Sequence, residues 1–226
     1  MMSRYKSPKN RSKQQLERRQ ANRVSNDKIL IVSEGSETEP NYFNAIRKEY
    51  RLSSTDIAVL PCAMGTAPIQ VVDYAEKLFL EGDYNKRVEA KSFDRVYAVF
   101  DRDDHHSYHA ALNKARTLNG KLKNNARRAV VFEAIASVPS FEFWLLLHYE
   151  MHKNPILRAD VIRRLKIKIP DYDKSETDTF NITREVLNDA IEHAKTLAET
   201  NNAFTEPEPY TGVHMLVQLL IPSKAQ

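Results

Sequence analysis

Four short apolar runs, each followed by a stretch with helical spacing, constrain this chain more than any other feature. The runs are Lys28–Ser33, Asp56–Leu60, Phe93–Phe100 and Ala129–Ile135. An unbroken aliphatic segment such as Ile29-Leu30-Ile31-Val32 suits a strand covered on both faces. Between the runs, apolar residues recur at intervals of three and four: Phe43, Ile46 and Tyr50, then Ile69, Val72, Ala75 and Phe79, then Ala111, Ala115, Leu118 and Leu122 within 107–123. Ser140–Glu150, which contains the chain's one tryptophan, Trp144, completes the set as a strongly apolar helix. Strand and helix in strict alternation imply an α/β fold, a mostly parallel sheet with helices on both faces.

Local signals sharpen the first unit. Gly35 offers a permissive turn after the first strand. Ser36-Glu37-Thr38-Glu39 fits a capping box, with Pro40 where a first helical turn tolerates it. After Asn154-Pro155 the pattern becomes helical over 158–167, 181–200 and 211–221, and no strand is predicted there. The chain therefore divides into a basic arm (1–27), an α/β domain (28–150) and a helical extension packed on it (151–226).

The net charge of +4 is unevenly spread. Residues 1–28 hold nine Lys and Arg against Glu17 and Asp27, which leaves 25 basic and 28 acidic residues in the remainder. A basic arm without periodicity attracts polyanions or simply aids solubility. Arg18, Arg19 and Arg23 of the arm, with Lys28 and Arg102 beside the strands, are candidate nucleic-acid contacts. No apolar run approaches the ~20 residues of a membrane span. The single Cys62 excludes an intramolecular disulfide framework and a cysteine-based zinc site. With no apolar core after its polar N-terminus, the chain is expected to be cytoplasmic.

Two of the predicted strands end in acid. The first runs into Glu34-Gly35 and the third into Asp101-Arg102-Asp103-Asp104. Ligands of open α/β sheets bind at the carboxyl ends of the strands. If the extended conformation continues, Asp101 and Asp103 point the same way and Arg102 the other. Two carboxylates with water and phosphate oxygens satisfy Mg²⁺ or Mn²⁺, and Glu34 from the neighbouring strand can complete the shell or act as general base. Taken alone, a D-x-D is as well explained by solvated loop aspartates; the glutamate after an earlier strand favours the metal.

Other acidic motifs fit less well. A calcium loop counted from Asp101 needs glycine and glutamate where His106 and Leu112 stand. No dinucleotide fingerprint and no P-loop is present. An aspartyl-phosphate phosphatase would place its aspartates on the first strand. His105, His106 and His109 read mainly as loop residues, and His148 as a locally bonded one. Glu142, in Phe141-Glu142-Phe143-Trp144, is an acid at an apolar helix start. It is either a first-turn glutamate favoured by the helix dipole or a second catalytic carboxylate.

Four blocks in order resemble the RloB-like family: Val32-Ser33-Glu34-Gly35-Ser36-Glu37-Thr38-Glu39-Pro40-Asn41-Tyr42-Phe43, Phe100-Asp101-Arg102-Asp103, Pro139–His148 and Tyr210–Val217. The resemblance spans roughly residues 28–220. It implies a Toprim-like fold in which Asp101 and Asp103 bind Mg²⁺ and Glu34 does acid–base or metal-linked work. It also implies a nuclease acting in phage defence with a partner ATPase. Where the family usually has Asn-Pro before its Phe-Glu-x-Trp block, this chain has Val138-Pro139. Three function classes follow: a metal-dependent nuclease for DNA or RNA, a non-catalytic nucleic-acid or ATPase-binding module, and metal-dependent chemistry on a nucleotide. Tyr42 and Tyr97 are expected in the core rather than as nucleophiles.

Overall fold

The computed structural model describes residues 27–102, 106–173, 178–205 and 209–222. Five strands form one sheet in the order β2-β1-β3-β4-β5. They are β1 (Ile29–Ser33), β2 (Ile57–Pro61), β3 (Arg95–Asp101), β4 (Val131–Val138) and β5 (Tyr210–Thr211). The first four run parallel and β5 pairs antiparallel with the end of β4. The helices are α1 (Thr38–Glu49), α2 (Pro68–Glu81), α3 (Tyr108–Leu118), α4 (Phe141–Leu146), α5 (Arg158–Lys168), α6 (Thr179–Thr183), α7 (Leu187–Ala198) and α8 (Val213–Leu220), with a 3₁₀ turn at Arg184–Val186.

Side chains alternate along each strand, so every strand feeds two cores. Leu30, Val32, Val96, Ala98, Phe100 and Phe132 meet α2 and α3 on one face. Ile29, Ile31, Tyr97, Val99 and Ile135 meet α1, α4 and the C-terminal helices on the other. Tyr42 lies in that second layer with its ring centroid 5.5 Å from those of Phe141 and Phe180, and Tyr97 is buried there too. The extension supplies Val161, Leu165, Leu187, Ile191, Val213 and Leu216 to the same core as β1, so it completes the sheet's second cover.

From β1 the chain steps outward to β2, and from there it crosses back to β3 and continues to β4. The carboxyl ends of β1 and β3 therefore flank the point where the winding reverses, the place where an open sheet leaves a crevice.

Several boundaries differ from expectation for identifiable reasons. Helix α3 stops at Leu118, because Gly120 adopts φ 73° and the Asn119 side chain accepts the Phe132 N–H at 3.1 Å. Strand β4 runs on to Val138, since its pairing with β3 continues to Asp101 opposite Ser137. Helix α4 gives way after Leu146 to tighter turns, with His148 N–H bonding to the Leu145 carbonyl. The extension, expected to lack strands, contains Tyr210–Thr211, two residues that carry no periodicity of their own. The predicted capping box does not form: Glu37 is the N-cap of α1 and makes no side-chain cap bond. Gly35 is not in the left-handed region. A side chain there would run into the Glu39 carboxylate, so the position calls for space rather than for an unusual φ.

Candidate metal and phosphate site

Glu34 follows β1 directly, its N–H extending the ladder to the Val99 carbonyl at 2.9 Å. Its Oε2 accepts the backbone N–H of Asp101 at 3.0 Å. The two sequence-distant acids are thus brought together across the β1–β3 junction. Asp101 is the last residue of β3 and is almost fully buried, at 4 % exposure. Helix starts supply the other walls. Thr38 and Glu39 open α1, Glu142 sits in the first turn of α4, and Arg158 opens α5.

These residues line a cavity of about 180 Å³ together with Gly35, Ser36, Glu37 and Phe141. Ser140 donates from Oγ to Glu142 Oε2 at 2.6 Å, which fixes that carboxylate. Arg158 Nη2 lies 3.4 Å from Asp101 Oδ2 and 4.0 Å from Glu142 Oε2. Burial pushes the Asp101 carboxyl well above its usual range, and Glu39, Glu142 and Glu34 push it further, against the opposing pull of Arg158. Among the described residues, Glu34, Glu39, Asp101 and Glu142 crowd around the one guanidinium of Arg158. Crowding of this kind is relieved by protonation or by a cation.

The donor set is all oxygen, as hard divalent cations prefer. Among the described residues, no three His, Cys, Asp or Glu side chains already form a metal-holding group. Asp103, the third expected ligand, lies outside the described residues, as do Arg18, Arg19, Arg23 and His105. With Glu34, Asp101 and Glu142 around one cavity, the chemistry of the site fits Mg²⁺ or Mn²⁺.

Glu142 is a first-turn glutamate, as one of its sequence readings has it, and it also lines the cavity. Two members were missed. Glu39 had been assigned to the capping box, yet it lies four and seven residues before Phe43 and Ile46, on the apolar stripe of its helix, and is buried. That placement was a readable signal. Arg158 gave none, since it arrives from the extension. Tyr172 is buried near this wall, its ionisation suppressed by burial and then by Glu142, with the Thr38 side chain beside its hydroxyl.

The expected basic contacts lie elsewhere. The Lys28 N–H donates to Asp94 Oδ2 at the amino end of β1, about 20 Å from Glu34 by strand rise. The Arg102 guanidinium lies 6.0 Å from the Tyr108 ring, toward α3. His109 stacks on Phe204 and His106 is exposed. His148 is buried, with Nδ1 3.0 Å from the Trp144 carbonyl, and burial lowers its pKa to about 4.

A family model described as RloB-like protein matches residues 29–220. No curated protein and no solved structure matches the chain. No helix of the described residues is long and apolar enough to cross a membrane.

Proposed function

The chain belongs to the RloB-like protein family, and for it we propose metal-dependent hydrolysis of phosphodiester bonds in DNA or RNA. One observation carries this reading: Glu34, Glu39, Asp101 and Glu142 converge on one cavity at the reversal point of the sheet.

Asp101 and Glu34, with Asp103 two positions further along the sequence, would hold Mg²⁺ or Mn²⁺. When bound, such an ion polarises a phosphate oxygen and acidifies water. The chain's own residues do the rest. The Asp101 N–H orients the Glu34 carboxylate. Glu142, fixed by Ser140, offers an acceptor for a proton leaving a nucleophilic water. Arg158 is placed to bind a phosphate oxygen, and in doing so it would exchange one anionic partner for another.

The four-block resemblance extends this proposal to a Toprim-like nuclease that works in the cytoplasm with a partner ATPase in phage defence.

The test is incubation of the purified chain with plasmid, single-stranded DNA and RNA in Mg²⁺ or Mn²⁺, beside Glu34→Ala and Asp101→Ala. Each substitution should lower cleavage by more than about 100-fold with the fold intact by circular dichroism. Undiminished cutting in both variants would remove the site assignment.

A second reading, a regulatory module without catalysis, draws on Arg158. Its pairs with Asp101 and Glu142 give the acids an internal counter-charge. A chain of that kind would gain no thermal stability from Mn²⁺, whereas a metal site is stabilised by ligand that binds only the folded state.

A further inference from the structure

The end of the sheet opposite the acidic pocket carries the reverse charge. Two segments build it: 83–91, between α2 and β3, and 119–128, between α3 and β4. Hydrogen bonds join them, with Asn125 N–H donating to the Lys91 carbonyl at 2.8 Å and Asn125 Nδ2 to the Ala90 carbonyl at 3.0 Å. Asn124 stiffens the second segment, its Oδ1 accepting the N–H groups of Ala126 and Arg128.

Arg87, Lys91, Lys121, Lys123 and Arg127 are exposed on this surface. None of the five side chains makes a hydrogen bond or an ion pair among the described residues. The neighbouring acids are mostly engaged internally. Asp94 accepts from Lys28 N–H, Asn124 Nδ2 and Arg128, and Asp83 accepts from Lys86 N–H. Glu81 and Glu89 are the exposed exceptions.

Backbone conformation supplies a separate observation. The non-glycine residues with positive φ among those described are Arg51, Arg87, Lys91 and Arg127, at φ 52°, 56°, 55° and 58°. Every one is cationic, and every one lies in a loop at this end of the sheet. The left-handed conformation costs a residue with a Cβ about 1 kcal/mol, and glycine would avoid that cost. What these side chains share is charge directed into solvent.

The first segment also carries an aromatic ring. Tyr84, at the tip of the turn closed by the Asp83–Val88 bridge, is 96 % exposed. It borders a broad hollow of about 810 Å³ shared with Arg87 and with Glu81, Asp83 and Glu89, and a second hollow of about 320 Å³ lies between Lys91 and Arg128. Uncommitted cations beside a bare aromatic face suit a phosphate backbone whose bases are unstacked. A duplex keeps its bases stacked on one another and would leave Tyr84 unused.

We infer that the surface formed by residues 83–91 and 119–128 binds single-stranded nucleic acid, with Arg87, Lys91, Lys121, Lys123 and Arg127 on phosphates and Tyr84 stacked on a base. The strand would be held about 20 Å from the acidic pocket, the length of β3. Binding here requires neither a metal nor cleavage, so it stands apart from the proposed hydrolysis.

The experiment is fluorescence anisotropy of a labelled oligothymidylate with the full chain in EDTA, across a range of salt concentrations. Lys121→Glu/Lys123→Glu/Arg127→Glu should weaken binding at least about tenfold and flatten the salt dependence by about two units of slope. Tyr84→Ala should weaken binding about tenfold with the slope unchanged. Lys153→Glu/Lys166→Glu/Lys168→Glu, an equal charge change on exposed residues outside this surface, should bind as the wild type does. Wild-type affinity in both test variants overturns the inference. So does an equal loss in the control, and so does failure of the unmodified chain to bind the oligonucleotide, which would point to an acidic protein surface instead. Binding is read in EDTA, where no metal-dependent cleavage occurs, so a failed nuclease test and a failed binding test remain distinct.

Discussion

The two layers that cover the sheet differ in kind. Against one face, α2 and α3 build an apolar core from Leu30, Val32, Val71, Phe79, Phe100 and Phe132. Against the other, α1, α4 and the C-terminal helices bury polar groups among the apolar ones. The Tyr42 and Tyr172 hydroxyls, the Trp144 indole and the His148 ring are all buried there. Taking polar and charged groups out of water costs stability. The buried acids Glu39 and Glu142 and the buried His148 belong to this layer, with Arg158, while among the described residues α2 and α3 bury no charged side chain. The contrast teaches where this chain gives up stability and which side carries its candidate site.

The largest effects should come from cutting one aromatic out of each layer. Phe132→Ala and Phe141→Ala should each cost about 3–5 kcal/mol, measured by urea unfolding. Phe141 also lines the acidic cavity and Phe132 does not. Under conditions where both variants remain folded, stabilisation by Mn²⁺ should therefore survive only in Phe132→Ala. Equal retention in both would break the distinction between a structural and a functional layer.

Next in size is the acid response of the polar layer. Burial lowers the His148 pKa to about 4, below the ordinary 6.5 of an unfolded histidine. Between those values the unfolded chain binds more protons. The stabilisation from keeping His148 neutral is therefore complete above about pH 6.5 and is lost as pH falls toward 4. The loss is on the order of 3 kcal/mol. Unfolding curves at pH 7 and pH 4.5 should show a smaller difference for His148→Phe than for the wild type.

Arg158→Gln should have an intermediate effect. Its side chain is 34 % exposed, so solvent screening limits the loss to about 1–2 kcal/mol. With the internal counter-charge gone, the thermal gain from Mn²⁺ should increase. An unchanged gain would mean that Arg158 and the ion do not share the carboxylates. The smallest effect is expected for Gly35→Ala. The obstructing group is the end of the flexible Glu39 side chain, so stability should change by less than about 1 kcal/mol. Metal affinity should fall as Glu39 is displaced.

The plain layer was also the legible one. Ile69, Val72, Ala75 and Phe79 announced α2, and the aliphatic runs announced the four parallel strands, because a period is a local property of sequence. Glu34 and Asp101 were legible for a related reason: an acid at the end of an apolar run marks a strand terminus. The pairing of the site with the extension was not legible. Arg158 and Tyr172 reach the pocket through tertiary packing, and no spacing connects them to residue 101. Glu39 was misassigned because one short motif, Ser-Glu-Thr-Glu, admits two uses of its last glutamate. In the fold the site claimed it ahead of the cap.

The two-residue strand β5 has a consequence for the order in which this molecule can be completed. Ser137 meets its hydroxyl partner Thr211 at 3.0 Å across 74 residues of chain. During synthesis β4 can join β3 early, but the Ser137–Val138 end of its outer edge stays unpaired until residues 210 and 211 have been made. Contacts at such separation form late and slowly, after the entropy of closing the intervening loop has been overcome. Throughout that interval the nascent chain presents an open strand edge beside the acidic residues, the kind of edge that recruits other chains.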